Sequence, residues 1–351
     1  MLKFLVRRAT PMEVLTLMRN LSVTLKAGVP LTRALALFEQ DSPLRLRPIL
    51  RHLRRSLETG HPLAQALQSS PRAFPPLVIN LVRTGELGGT LRENLEQIVK
   101  HLKKVLDLKR KIRSAMMYPM FVLIALVGLG LSVGTLVLPE LLPLFESLDV
   151  ELPWTTKILL KLAAFFELYS FPFTVGVFSS IILLFALSRL EAVRSFLHRC
   201  TLLLPYVRVL QKQSAIAYIA GTLATLLRSG IPIQEAVLAT ADATNNRVFR
   251  RALQKTLPAI KSGHTFAHAL AESGKLFPDM TVALVDIGES TGTLVETMEY
   301  LAEYYEGEVD YSMRNLTVAL EPLLLILIGL LVGGTVLSII TPIYDVTGSI
   351  Q

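Results

Sequence analysis

Eight residues, Thr84-Gly-Glu-Leu-Gly-Gly-Thr-Leu91, return 203 positions later as Ile287-Gly-Glu-Ser-Thr-Gly-Thr-Leu294. The same offset carries Gly60-His61 onto Gly263-His264, Phe74-Pro75 onto Phe277-Pro278 and Pro119 onto Pro322. Gly28-Val-Pro30 meets Gly230-Ile-Pro232 at an offset of 202, so one residue of length difference falls between Pro30 and Gly60. A single alignment then covers roughly 120 residues of each half, and self-similarity of that length marks a duplicated structural unit. Each copy runs through a long polar stretch into an apolar segment with a proline near its start. Any architecture assigned to one half must therefore suit the other.

Three windows lack charged residues: between Arg113 and Glu140, between Glu167 and Arg189, and between Glu321 and Asp345. Each is long enough to cross the hydrocarbon core as a helix, which takes about 20 residues. Isolated spans must satisfy their backbone amides internally, so helix is the expected form. The expected boundaries are a first cytoplasmic repeat over 1–115, spans over 116–138 and 170–188, an outer loop over 139–169, a second cytoplasmic repeat over 189–316, a third span over 317–341 and an outer tail over 342–351. The middle span is a topological requirement, since copies that each end by leaving the cytoplasm share one side only if the chain crosses back between them. The opening residues lack a hydrophobic core of signal-peptide length and are not expected to be a secretory leader.

Charge sets the orientation. Residues 1–115 hold 21 Lys and Arg against 8 Asp and Glu, whereas 139–169 hold 2 against 5. The positive-inside rule places the first region in the cytoplasm and the loop outside, with Trp154 and Tyr169 as interfacial aromatics. The lone Cys200 excludes an intrachain disulfide and fits a reduced compartment. A formal net charge of +8 raises nucleic acid as a partner. The basic excess lies in one copy beside a span, however, so anionic membrane lipid is the expected partner and nucleic acid is not.

Helix punctuation is legible. Thr10-Pro-Met-Glu13 reads as a capping box, and the apolar pattern after it stops at Gly28. Further helices are expected from Pro30 to near Asp41, from Ser42-Pro43 to Gly60, from His61-Pro62 to Ser69-Ser70-Pro71 and from Pro75-Pro76 to Gly85. Thr90-Leu-Arg-Glu93 and Thr293-Leu-Val-Glu296 read as boxes opening a long last helix in each copy. Pro258 falls inside the third helix of the second copy, where kinking or division is expected. No segment alternates with period two, so the fold class is all-α: a polytopic membrane protein with two homologous cytoplasmic six-helix bundles and three transmembrane helices. Each bundle of about 100 residues is long enough to bury its own core.

Enzymatic constellations are missing: there is no phosphate loop, no His-Glu-x-x-His, no paired Cys and no Gly-x-Ser-x-Gly. No catalytic, cofactor-binding or metal residue is assigned; His264 and His268, four apart on an expected helix, lack a third ligand. The Gly-Glu turn has two readings. Glycines 85, 88, 89, 288 and 292 suit positive φ between helices, with Glu86 and Glu289 binding free amides near the next helix start. Alternatively Gly85, Glu86, Gly288 and Glu289 form acidic corners that dock a partner. Tyr118 and Pro119, and Glu321 and Pro322, mark the two span entrances; Glu321 either snorkels or receives a positive group from an incoming membrane subunit. Gly130-x-x-x-Gly134 and Gly329-x-x-x-Gly333 suit close helix packing, within a chain or across a dimer.

The stalks leading into the spans differ in sign: residues 91–113 carry 8 basic against 3 acidic side chains, and residues 294–316 carry 1 against 6. Opposite fields favour their encounter, within one chain or across a dimer, which crosslinking between positions near Lys104 and Glu303 would test; the alternative is that each stalk is a solvated face, the first held by anionic lipid.

Lys111-Ile-Arg-Ser-Ala-Met-Met-Tyr-Pro119 at a span entrance, the doubled Gly-Glu turn and the doubled Leu-x-x-Gly-Val/Ile-Pro element together resemble the inner-membrane platform proteins of type II secretion, type IV pilus and competence machines. The resemblance covers nearly the whole chain. It implies a bacterial inner-membrane, multi-pass, non-enzymatic scaffold with a cytoplasmic N-terminus, forming a homo-oligomer (dimer or higher). It further implies a cytoplasmic hexameric ATPase as partner, together with pilin or pseudopilin subunits and other inner-membrane assembly proteins. The first domain starts almost at Met1, without the leading extension of many secretion and pilus members, which leaves a shorter competence-type member open. A small transporter or permease subunit is the rival reading; only Glu321 supplies an ionisable group near membrane depth, where a polar path needs several.

Overall fold

A computed structural model describes residues 9–70, 73–133 and 205–349, all of them in helices or short connections, with no strand among the described residues. The first copy supplies α1 (Pro11–Lys26), α2 (Leu31–Asp41), α3 (Arg47–Glu58), α4 (Leu63–Gln68), α5 (Pro76–Gly88) and α6 (Leu91–Ser132). The second supplies α7 (Pro205–Arg228), α8 (Ile233–Ala243), α9 (Arg247–Lys261), α10 (Phe266–Ala271), α11 (Asp279–Ser290) and α12 (Leu294–Ser349). Each helix of one copy has its counterpart in the other. The length difference lies at the third helix: 42–46 precede α3, only 244–246 precede α9, and α9 has 15 residues where α3 has 12. The second span, the outer loop, Cys200, Trp154, Tyr169 and Gly134 lie outside the described residues.

Local chemistry explains most boundaries. Thr10 caps α1 by accepting from the Glu13 amide at 3.3 Å, while the Glu13 carboxylate accepts the Thr10 amide at 2.7 Å. Gly28, Gly60, Gly230 and Gly263 end their helices at positive φ, where a side chain would strain. Three boundaries differ from expectation: α3 starts at Arg47, not at Ser42-Pro43. α5 continues through Gly85 to Gly88, and Gly89 with φ 69° makes the turn. α9 is not divided at Pro258: it runs on for three residues to Lys261, although the proline lacks the N–H that would close the ladder bond to Gln254.

The chain divides into two compact units, and the division does not follow the repeat boundary. Residues 1–111 and 210–311 form one unit, residues 112–209 and 312–351 the other. In the first unit the two copies are packed together rather than standing as separate bodies, and buried side chains of both belong to one contiguous cluster that includes Met18, Leu35, Leu77 and Leu81 with Leu223, Val237 and Leu301. Helix α5 of the first copy packs on α8 of the second. In the second unit the described residues are the distal parts of α6 and α12 and the start of α7. Helices α6 and α12 each contain a stretch long and apolar enough to cross a membrane, with 11% and 7% of it buried. Their side chains, Phe121 and Ile124 on α6 and Ile326 and Leu330 on α12 among them, are exposed apolar surface of the kind lipid solvates.

Candidate functional site

The Gly-Glu corner is built from three elements in each copy. Helix α4 is only six residues long and begins after Pro62, which supplies no side-chain cap. Glu86, on α5, turns back to it: the carboxylate accepts the Leu63 amide at 2.5 Å and the Ala64 amide at 2.8 Å. Glu289, on α11, does the same for α10, accepting from Phe266 at 2.8 Å and Ala267 at 3.0 Å. The carboxylates therefore satisfy the start of the preceding short helix, not of the following one as the turn reading expected. A negative group at a helix N-terminus also meets the positive end of the backbone dipole. In the second copy Thr265 adds a cap by accepting the His268 amide at 3.2 Å.

The glycines divide into two kinds. Gly89 and Gly292 take positive φ, 69° and 74°. Gly85, Gly88 and Gly288 are helical, against the expectation of positive φ. Gly85 and Gly288 are buried where the next helix crosses: a Cβ on Gly85 would lie 2.8 Å from Leu91 Cα and 3.2 Å from Asn94 Cβ, and one on Gly288 would lie 2.8 Å from Thr297 Cβ. Asn94, at the position of Thr297, is buried and donates from Nδ2 to the Leu81 carbonyl at 2.9 Å. Each corner is thus a close crossing of two helices with the intervening glutamate aimed at a third. Leu87, beside Glu86, is 85% exposed and forms the tip.

The stalks meet within the chain. Lys104 Nζ on α6 lies 3.4 Å from Glu303 Oε1 on α12, and Lys111 Nζ lies 2.6 Å from Asp310 Oδ2. Arg228 on α7 adds a 2.6 Å pair with Glu299. Beside them is a group that sequence reading missed. His101 on α6, 6% exposed, faces α7, with Nδ1 3.4 Å from Thr225 Oγ1 and its ring 6.1 Å from that of Tyr218. Burial, with Lys104 adding to it, pushes its pKa down to about 4, so it is neutral. His101 precedes the charge-free stretch, in the polar part of α6. The nearby Glu306 has its pKa raised, chiefly by burial.

Tyr118 and Pro119 lie within α6, Glu321 and Pro322 within α12, and neither proline interrupts its helix. Tyr118, Glu321 and Pro322 are exposed, and Pro119 is buried. Gly130 lies on α6; Gly329 and Gly333 lie on α12, where a Cβ at either would meet nothing described within 4 Å. His264 precedes α10 instead of sharing it with His268; the two rings stack at 5.3 Å, and no group of three metal-ligating side chains occurs among the described residues.

The chain is 30% identical over 342 residues to the type IV pilus assembly protein PilC of Pseudomonas aeruginosa, covering 97% of this chain and 91% of that one. It is 33% identical to the type IV pilus assembly protein PilC of Thermus thermophilus, covering 95% and 82%, and 29% identical to the type II secretion system protein F of Xanthomonas campestris, again covering 95% and 82%. A family model for type II secretion system protein F matches residues 17–139 and again 219–342. The two matches start 202 residues apart and end 203 apart, the same pair of offsets carried by the duplicated motifs. The chain belongs to the type II secretion system protein F family.

Proposed function

We propose that the chain is a platform of the bacterial inner membrane, with its N-terminus in the cytoplasm, that couples a cytoplasmic hexameric ATPase to insertion of pilin or pseudopilin subunits into a filament. The observation that carries this reading is the continuity of α6 and α12, each a single helix from a packed polar corner into an apolar stretch able to cross a membrane. Family membership and the pilus-assembly names of relatives support the same reading.

Within it, the corners are the ATPase-facing part. Glu86 and Glu289 are engaged internally, so their role is to hold the corner while its exposed tip, Leu87 with Gly88 and Gly89, meets the partner. Tyr118 and Glu321, exposed beside Pro119 and Pro322, are the pilin-facing entrances, and Glu321 receives a positive group of the incoming subunit. The test is filament assembly in cells lacking this chain. Restoring it should restore filaments and allow the tagged full-length chain to capture the ATPase from detergent extracts. Filaments that form equally well without it would refute the reading.

A further inference from the structure

The duplication makes the contact between copies informative, because every residue in it has a counterpart elsewhere in the same chain. On the first copy the contact uses one face of α5 and α6; on the second it uses α7, α8 and the acidic side of α12. The counterparts of both faces are bare. His101 is 6% exposed and its counterpart Tyr304 is 37% exposed; Leu77 is 1% exposed and its counterpart Met280 is 42% exposed. Gln97, Lys104 and Leu108 are half-buried, and Tyr300, Gly307 and Tyr311 at the matching positions are exposed. The receiving side repeats the pattern. Tyr218, Gly221 and Thr225 on α7 are half-buried, whereas Thr16, Arg19 and Val23 on α1 are exposed, and buried Ala239 corresponds to Leu37, 50% exposed.

A local twofold axis between copies would form both contacts at once and cover all four faces. Two faces stay open, so the contact is head-to-tail, and a head-to-tail contact continues into a further copy until a ring closes. We propose that the α11–α12 face around Met280 and Tyr304 packs on the α1–α2 face around Arg19, Val23 and Leu37 of a second copy of this chain, repeating between chains the contact made within one. The occupant is specified because these faces are homologous to two that already fit each other. The chemistry agrees. The Gly221 backbone hydrogen-bonds the His101 ring, and Arg19 at its position would bring a guanidinium beside Tyr304. The Lys111–Asp310 ion pair has its counterpart in Arg314 and Asp107, again of opposite charge. The Lys104–Glu303 pair maps onto Gly307 and Lys100 and has none. Exposed tyrosines, with Tyr300 and Tyr304 stacked at 6.3 Å, are what interface cores enrich.

The experiment uses the full chain in membranes with its single cysteine removed by Cys200→Ser. Two differently tagged chains are co-expressed, one with Val23→Cys and one with Tyr304→Cys, and treated with a short bismaleimide. A covalent species carrying both tags is expected, and none from Val23→Cys chains alone. A chain carrying Lys104→Cys with Glu303→Cys is the intrachain control. Reaction of the control without mixed-tag product overturns the proposal, as does crosslinking between two Val23→Cys chains, which would mean a twofold contact through α1. Independently, Arg19→Glu combined with Tyr304→Glu should reduce the particle mass in detergent to one chain with the control reaction intact; an unchanged mass overturns it. Filament assembly and ATPase capture are not read, so failure here leaves the coupling function standing.

Discussion

Removing Glu86 should loosen α4 more than removing Glu289 loosens α10. The two short helices differ in how many side-chain acceptors serve their first turns. Pro62 offers none, so Glu86 alone serves Leu63 and Ala64, whereas α10 has both Glu289 and Thr265. Hydrogen bonds to a charged acceptor contribute about 1.5–3 kcal/mol each, but the site is half-buried and water recovers part of that for the orphaned amides. Loss of an ordinary cap costs about 1 kcal/mol. Glu86→Ala should therefore open α4 by about 2–3 kcal/mol and Glu289→Ala should open α10 by about 1–2 kcal/mol, with Thr265 holding the remainder. Glu86→Gln keeps one acceptor and should fall between Glu86→Ala and the parent chain. In hydrogen exchange on the detergent-solubilised full chain, 2 kcal/mol speeds exchange about 30-fold. Peptides covering 63–68 should show that change in Glu86→Ala, and those covering 266–271 a smaller one in Glu289→Ala. Unchanged exchange over 63–68 would refute the cross-helix cap, and equal effects in the two copies would refute the part given to Thr265.

Two further outcomes follow from the same geometry. Gly85→Ala drives a Cβ into the Leu91 backbone and should destabilise by about 1–3 kcal/mol; Asn94→Ala should not restore it, since the nearest obstacle is main chain, and a thermal melt of the double variant checks this. For His101, a folded-state pKa of about 4 against an ordinary 6.5 means the unfolded chain takes the proton first, so stability is full above pH 6.5 and falls as pH drops toward 4. The loss should approach about 3 kcal/mol at the acid end, and His101→Leu should flatten that part of a stability profile measured by limited proteolysis; a decline unchanged by the substitution would count against the buried neutral ring.

The features legible in the sequence are those with a local cause. Prolines and glycines punctuate α1, α2 and α4 because one residue's φ or missing N–H decides a boundary, and the Thr10–Glu13 box is a contact over three residues. Opposite charge on the stalks was also readable, and the stalks meet within the chain, where Lys104 lies beside Glu303. The partners of Glu86 were not: Leu63 lies 23 residues away, and nothing in the corner motif says which free amides the carboxylate reaches. A signal was present nonetheless, since Glu86 and Glu289 stand at equal distances from the starts of α4 and α10. Gly85 misled for a different reason. Glycine serves both positive φ and close approach, and only the crossing of α5 by α6 separates the two. The burial of His101 depends on packing between copies, which no pattern within one copy reveals.

A chain with two similar halves must also avoid packing each half on its own kind, and magnitudes indicate how that is done. Solvent-exposed ion pairs are worth about 0.2–1 kcal/mol, and Lys104–Glu303 and Lys111–Asp310 are of that sort, with lysines 42% and 59% exposed. Burying a leucine contributes about 1.5–3 kcal/mol, so Leu77 on the first copy and the apolar side chains around it supply more adhesion than both pairs. Adhesion alone does not discriminate, because both copies bear apolar surface at matching positions. The charges do: a stalk of the first kind against another of the first kind would oppose eight basic residues with eight more, and like charges in contact cost more than the pairs gain. The packed side chains hold the copies together, and the stalk charges decide which copy stands beside which.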